Sequence, residues 1–187
     1  MPKNTTILMI RHAEKPDKGK GLSVAGQERA QAYVIYFQNY AIDGKPIEIK
    51  YLFATEDSDN SERPRLTIEP LAKALDLEIN AKHKDHKYQE LADHILKENK
   101  YDDSVLIICW HHGQILQFAQ ALGVNSNELP AESNWPTSWP EDVFGWLLQI
   151  SYDSNSHIVT SKTKCNNQQL MYGDFGKDPK STVLPKI

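Results

Sequence analysis

The chain has 187 residues, of which 40% are hydrophobic and 25% are charged, as is ordinary for a globular domain. Its formal net charge of −4 gives no general attraction to nucleic acid or to an acidic membrane, so we expect neither as a partner, and any anion site must be local. No apolar run is long enough for a signal peptide or a membrane span. The two cysteines, Cys109 and Cys165, do not indicate a disulfide framework. We therefore expect one domain over residues 1–187, located in the cytoplasm.

The first two thirds of the chain alternate between strand and helix patterns. Residues 5–10 form a short apolar run typical of a buried strand, which breaks at Arg11 and His12 before Pro16. Further strands are predicted over residues 48–54, 77–81 and 104–110. Helices are predicted over residues 23–40, with Ser23 as N-cap, over 62–75, through 91–96 and over 115–122.

The last third has a different pattern. Residues 125–142 form a long loop with three prolines and two tryptophans, which either covers a site or packs onto the core. Residues 143–152 and 157–165 resemble a β-hairpin, and the tail from residue 173 is predicted to be irregular. This order of elements predicts a three-layer α/β/α sandwich whose mostly parallel sheet carries an antiparallel element.

Polar clusters follow three of the predicted strands. They contain Arg11 and His12, then Arg63, and then His111 and His112. Ligands bind at the carboxyl ends of strands in open α/β sheets. Guanidinium groups neutralise phosphoryl oxygens well, and an imidazole is nucleophilic near neutral pH. The pattern therefore indicates a phosphoryl-transfer site, although a strand end that meets solvent is the alternative for the first cluster alone.

Four segments carry a resemblance to a known family. They are Arg11-His12-Ala13, Leu22-Ser23-Val24-Ala25-Gly26, Arg63-Pro64-Arg65-Leu66-Thr67 and His112-Gly113-Gln114-Ile115. In this order they resemble the Arg-His-Gly, Leu-Thr-x-x-Gly, Arg-Ala-x-Gln-Thr and His-Gly-x-Ile motifs of the histidine phosphatase superfamily, also called phosphoglycerate-mutase-like. The chain differs in having Ala13 for the usual Gly and Leu66 for the usual Gln.

The resemblance implies a phosphatase that hydrolyses a small phosphorylated substrate through a phosphohistidine, with no metal and no cofactor. It assigns His12 as the nucleophile, and Arg11, Arg63 and His112 as ligands of the phosphoryl oxygens. A carboxylic acid usually protonates the leaving oxygen in this family. Glu90 lies in the matching interval of the chain and is the candidate, with a solvated glutamate in the first turn of a helix as the alternative.

Three other functions compete with this interpretation. The same fold serves phosphomutases, although those chains are typically longer. The departures at Ala13 and Leu66 also fit a phosphate-ligand binding or regulatory module with weak catalysis. A metallohydrolase that uses His12, His111 and His112 is disfavoured, because nearby arginines would repel a divalent ion. We interpret His111 as an ordinary histidine at a strand end.

Overall fold

A computed structural model describes residues 1–180 of the chain. Its strands are β1 (Thr6–Arg11), β2 (Ala41–Ile42), β3 (Lys45–Pro46), β4 (Ile49–Thr55), β5 (Ile79–His83), β6 (Val105–Trp110), β7 (Trp146–Ser151) and β8 (Lys164–Asn167). Its α-helices are α1 (Val24–Gln38), α2 (Arg63–Leu75), α3 (Tyr88–Lys97) and α4 (His112–Ala121).

Six of the strands form one sheet in the order β5-β4-β6-β1-β7-β8, and β2 and β3 form a separate two-stranded hairpin. Strands β5, β4, β6 and β1 pair in parallel, whereas β7 pairs antiparallel with both β1 and β8. The prediction of a mostly parallel sheet with an antiparallel element is confirmed.

The sheet is covered on both faces, because successive side chains of a strand point to opposite sides. In β1, Ile7 and Met9 face one apolar cluster and Leu8 and Ile10 face the other. The first cluster contains residues of α3 and α4, among them Leu91, Ile95, Ile115 and Phe118. The second contains residues of α1 and α2, among them Tyr33, Phe37, Ile68 and Leu71. The predicted three-layer α/β/α sandwich is confirmed.

Two helix starts are explained by local sequence. The hydroxyl of Ser23 accepts a hydrogen bond from the Gly26 N–H at 3.1 Å, which confirms Ser23 as the N-cap of α1. Helix α4 begins at His112, three residues before the predicted start. The prediction relied on the apolar pattern from Ile115 onward, whereas the first turn of the helix is polar.

The predicted C-terminal hairpin is only partly correct. Strand β7 is present, but β8 begins at Lys164, and the intervening chain makes one isolated bridge between Tyr152 and Ile158. The last β7–β8 pair is Gln149 with Lys164, and beyond it the Ser151 N–H donates to the hydroxyl of Thr163 at 3.3 Å. Of the predicted irregular tail, residues 181–187 lie outside the described residues. Within residues 1–180, no helix has both the length and the apolar character needed to cross a membrane.

Candidate active site

The three polar clusters meet at one edge of the sheet. Strands β4, β6 and β1 are adjacent and parallel, so their carboxyl ends lie side by side. Arg11 ends β1, Arg63 begins α2 after β4, and His111 and His112 begin α4 after β6. Two helix N-termini therefore lie at the edge of the sheet where β1 ends, an arrangement that favours an anion.

His12 is buried, with 3% of its surface exposed. Its Nδ1 lies 2.7 Å from the carbonyl oxygen of Ala13, and because a carbonyl only accepts, Nδ1 carries the hydrogen. Burial lowers the pKa of His12 to about 2, against a smaller opposing effect of the Ala13 hydrogen bond. The ring is therefore neutral near pH 7, with the lone pair on Nε2.

The segment after His12 is held from two sides. The Ala13 N–H donates to the hydroxyl of Thr67 at 2.8 Å, and that hydroxyl donates to the Arg63 carbonyl at 2.7 Å. On the other side, Gly26 of α1 packs against the backbone of Glu14. A Cβ added to Gly26 would lie only 2.4 Å from the carbonyl oxygen of Glu14. Thr67 and Gly26 thus fix the peptide that orients the His12 ring.

Arg11 is 2% exposed and has no carboxylate partner among residues 1–180. Its Nη1 donates to the carbonyls of Glu141 at 2.6 Å and Val143 at 2.8 Å, and its guanidinium carbon lies 3.9 Å from the ring centre of Phe144. Its Nε is buried without a hydrogen-bond partner in the described chain. Burial lowers the pKa of Arg11 to about 10, so the group keeps its charge at neutral pH.

Arg63 and His112 also have buried nitrogens that find no acceptor within residues 1–180. These are Nε of Arg63 and Nδ1 of His112. The Arg63 Nη1 has only a long bond of 3.4 Å to the Gly19 carbonyl. Burial lowers the pKa of both groups, and the charge of Arg11 further lowers that of His112. Buried nitrogens without hydrogen-bond partners are rare in folded proteins, so the Arg63 Nε–H, and the His112 Nδ1 when it carries the hydrogen, suit the oxygens of an anion.

A cavity of about 610 Å³ opens beside this cluster. Arg63 and His111 line it, together with Lys84, His86, four carboxylates and small polar residues: Glu56, Asp57, Asp59, Asp85, Ser58, Asn60 and Ser61. The His111 ring contacts the His12 ring edge-on, with 5.0 Å between the centroids. The cavity therefore adjoins the histidine nucleophile of the sequence hypothesis and could hold the group bonded to a phosphate.

Of the predicted site residues, the structure brings together Arg11, His12, Arg63 and His112, but not Glu90. The Glu90 carboxylate is 58% exposed, is paired with Lys87 and does not line the cavity. The Glu90 assignment rested on its interval in the sequence, and helix α3 directs this first-turn glutamate to solvent.

Sequence reasoning missed the contribution of the chain after the long loop. Trp135 and Trp139 are buried in the core, which supports the packing alternative for residues 125–142. The end of that segment supplies the carbonyl groups that hold Arg11, followed by Phe144 beneath its guanidinium. Carbonyl contacts leave no residue-type signal, so no motif could have revealed them.

No group of three or more His, Cys, Asp or Glu side chains within residues 1–180 is arranged to hold a metal ion. No protein-family model matches the chain, and no curated protein matches it significantly in sequence.

Solved structures do match. The protein histidine phosphatase SixA, in complex with tungstate, superposes with a TM-score of 0.54 at 12% identity, covering 85% of this chain and 96% of SixA. A candidate phosphohistidine phosphatase SixA from Agrobacterium tumefaciens gives a TM-score of 0.49 at 15% identity, covering 82% and 95% of the two chains. A mycobacterial glucosyl-3-phosphoglycerate phosphatase bound to phosphate gives 0.46 at 14% identity, covering 86% and 94%.

The chain therefore has the fold of the histidine phosphatases, which is the phosphoglycerate-mutase-like fold. This confirms the fold that the sequence motifs implied. At such low identity the likeness concerns the fold, and the activity has to be argued from the site.

Proposed function

We propose that the protein is a phosphatase that hydrolyses a phosphomonoester through a phosphohistidine intermediate on His12. One observation carries the proposal: a buried, neutral histidine whose Nδ1 hydrogen is held by a carbonyl stands beside two arginines with unpaired N–H groups. The first feature suits a nucleophile, and the second suits the phosphoryl group that it attacks.

The nucleophile is Nε2 of His12. Because Nδ1 donates to the Ala13 carbonyl, the lone pair is on Nε2, and the ring is held in one orientation. The lowered pKa means that no proton has to leave this nitrogen before it attacks phosphorus. The carbonyl also stabilises the positive charge that the ring acquires when the N–P bond forms.

The oxygens of the phosphoryl group would be bound by Arg11, Arg63 and His112, whose buried nitrogens lack acceptors in the described chain. The N-termini of α2 and α4 add their partial positive charge. SixA, which has the same fold, binds tungstate, an oxyanion with the shape of phosphate. We expect tungstate to bind this chain at the same group of residues.

The reaction then has two displacements. In the first, the N–P bond to His12 forms as the bond to the leaving oxygen breaks, and that oxygen takes up a proton from an acid so that the alcohol departs. In the second, water attacks phosphorus and returns a proton to the same group, the N–P bond breaks, and inorganic phosphate leaves. The arginines neutralise the oxygens in both transition states, so positioning and charge supply most of the catalysis.

The cavity favours hydrolysis over the mutase alternative. Its walls carry four carboxylates, from Glu56, Asp57, Asp59 and Asp85, against the two cationic side chains of Arg63 and Lys84, and within residues 1–180 only Asp57 has a further cation, Arg65. A mutase must bind a substrate with a second phosphoryl group, which this acidic wall would repel. The substrate is therefore proposed to be a small monophosphate, and the cytoplasmic location stays a prediction from the sequence.

The test is turnover of p-nitrophenyl phosphate by the purified protein, with and without EDTA, beside His12→Ala. We expect activity that resists the chelator and is abolished in the variant, because the nucleophile is gone. His157→Ala is the matched control, since the His157 side chain is 79% exposed and pairs with Asp153 outside the cluster.

Two results would contradict the proposal. Full turnover by His12→Ala would exclude the phosphohistidine route. No turnover by the wild-type protein, together with tungstate binding measured by calorimetry, would favour the phosphate-binding module instead.

A further inference from the structure

His111 is a cluster residue to which the family motifs give no role. It is the N-cap residue of α4 and lines the cavity of about 610 Å³ together with Arg63. Its ring meets the His12 ring edge-on at an interplanar angle of 67°. His111 therefore contacts the proposed nucleophile on one side and faces the space for a leaving group on the other.

Asp85 lines the same cavity and is fixed close to His111. It begins a single 3₁₀ turn, Asp85–Lys87, and its carbonyl accepts a hydrogen bond from Nε1 of Trp110 at 3.1 Å. Trp110 directly precedes His111, so this bond ties the turn to the end of β6. The Oδ1 atom of Asp85 is buried and has no hydrogen-bond partner within residues 1–180. A buried carboxylate oxygen in that state is ready to accept an N–H.

On the basis of the function proposed above, we propose that His111, oriented by Asp85, is the general acid and general base of the reaction. In the first displacement, protonated His111 gives its proton to the leaving oxygen as the P–O bond breaks, so the product leaves as a neutral alcohol. In the second, neutral His111 takes a proton from the water that attacks phosphorus. The N–P bond then breaks, and His111 is again protonated for the next turnover.

Three other carboxylates near the cluster pair with cations, whereas Glu56 and Asp59 line the cavity without an ion pair among residues 1–180. Asp57 pairs with Arg65 at 2.8 Å, Glu62 pairs with Lys20 at 2.6 Å, and Glu90 pairs with Lys87 in solvent. His111, by contrast, touches His12 directly. A proton donor has to lie within reach of the leaving oxygen, and His111 lines the cavity proposed for the leaving group.

The charges around His111 explain why it needs Asp85. Burial is the largest influence on His111 and lowers its pKa. Arg63, His112 and Arg11 lower this pKa further, whereas Asp85 raises it without restoring the ordinary value. His12 faces it as a neutral ring. Asp85 is thus the one group in this set that favours protonated His111, and a bound phosphoryl anion would act in the same direction.

The first test compares leaving groups with His111→Gln. Nitrophenolate departs without a proton, whereas the more basic phenolate benefits from one. We expect kcat/KM for phenyl phosphate to fall about 100-fold or more, as for loss of a general acid, and kcat/KM for p-nitrophenyl phosphate to fall much less. His157→Gln is the matched control, because the His157 side chain is 79% exposed and pairs with Asp153 outside the cavity, and it should change neither value.

The second test uses Asp85→Asn, which preserves the shape of the side chain. The alkaline limb of the pH profile of kcat/KM should move to lower pH relative to the wild type, because the carboxylate that favours protonated His111 is gone. A residue with only a structural role would lower the rate without moving this limb. Tungstate binding by each variant, measured by calorimetry, checks that the anion site is still formed.

The outcomes separate the two proposals. Equal losses on both esters in His111→Gln, or an unshifted limb in Asp85→Asn, with an active wild type that depends on His12, would overturn the role of His111 alone. A wild-type protein that hydrolysed neither ester would overturn the proposed function, and this assignment with it.

Discussion

Two buried arginines, Arg11 and Arg29, stand in opposite electrostatic surroundings. Arg29, on α1, is 1% exposed and makes paired hydrogen bonds to two carboxylates, at 3.0 and 2.7 Å to Glu14 and at 2.9 and 2.7 Å to Asp174. Burial lowers its pKa, but the hydrogen bonds to Asp174 and Glu14 outweigh that effect and raise the pKa above its usual value.

Arg11 contacts only neutral groups among the described residues, the carbonyls of Pro140, Glu141 and Val143 and the ring of Phe144. The carboxylates of Glu14, Glu141 and Asp142 act on its charge from a distance without pairing with it, and its Nε has no acceptor within residues 1–180. Arg29 therefore has a structural role, because it joins the segment after His12 to the C-terminal part of the chain. Arg11 keeps its charge and one N–H donor without an acceptor in the described chain, as the proposed phosphate site requires.

The largest expected effect is on stability, from breaking the Arg29 group. Arg29→Met leaves the buried Asp174 carboxylate and the half-buried Glu14 carboxylate without their cation, so we expect a loss of about 3–5 kcal/mol in the free energy of unfolding. Arg11→Met leaves no carboxylate unpaired and should cost clearly less. Urea denaturation of both variants measures the difference, and equal losses would contradict the distinction between the two arginines.

Helix α2 contains a second pair of arginines, of which, within residues 1–180, one is paired with a carboxylate and the other is not. Arg63 has an unpaired Nε, whereas Arg65, two residues on, pairs with Asp57 at 2.8 Å. Arg63→Ala should lower kcat/KM for p-nitrophenyl phosphate by about 10²–10³, since a charged contact to the transition state is removed. Arg65→Ala should retain most of the activity. A comparable loss in Arg65→Ala would show that the anion site extends along the helix.

The sequence alone was sufficient to predict the placement of residues whose role follows from their residue type and their position at the end of a strand or helix. The apolar run of β1 and the polar residues at its end predicted the strand and the placement of Arg11 and His12, and the first-turn Pro64 located the start of α2 beside Arg63. These features are local, so they can be read from a few neighbouring residues.

The partners of those residues could not be predicted in the same way. Asp174 meets Arg29 across 145 positions of sequence, from a tail with no helix or strand pattern. The carbonyls that hold Arg11 belong to a loop whose residue types do not matter for the contact. Glu90 failed to join the cluster because an interval in sequence does not fix which way a helix residue points.

The smallest predicted effect applies the same comparison to histidines and concerns pH. His12 has a folded-state pKa of about 2 against 6.5 ordinarily, so the unfolded chain takes up a proton that the folded chain refuses. Its contribution to stability is present above pH 6.5 and is lost as the pH falls toward 2, at no more than about 1.4 kcal/mol per pH unit.

The test is His12→Gln between pH 6.5 and about 5, a window that lies above the ordinary range of carboxylates. In this window the free energy of unfolding, measured by urea denaturation, should fall less steeply in the variant than in the wild type. His157→Gln is the control, because His157 is exposed, and it should leave the decline of the free energy of unfolding unchanged. If His12→Gln also leaves this decline unchanged, the folded protein accepts a proton at His12 and the prediction is wrong.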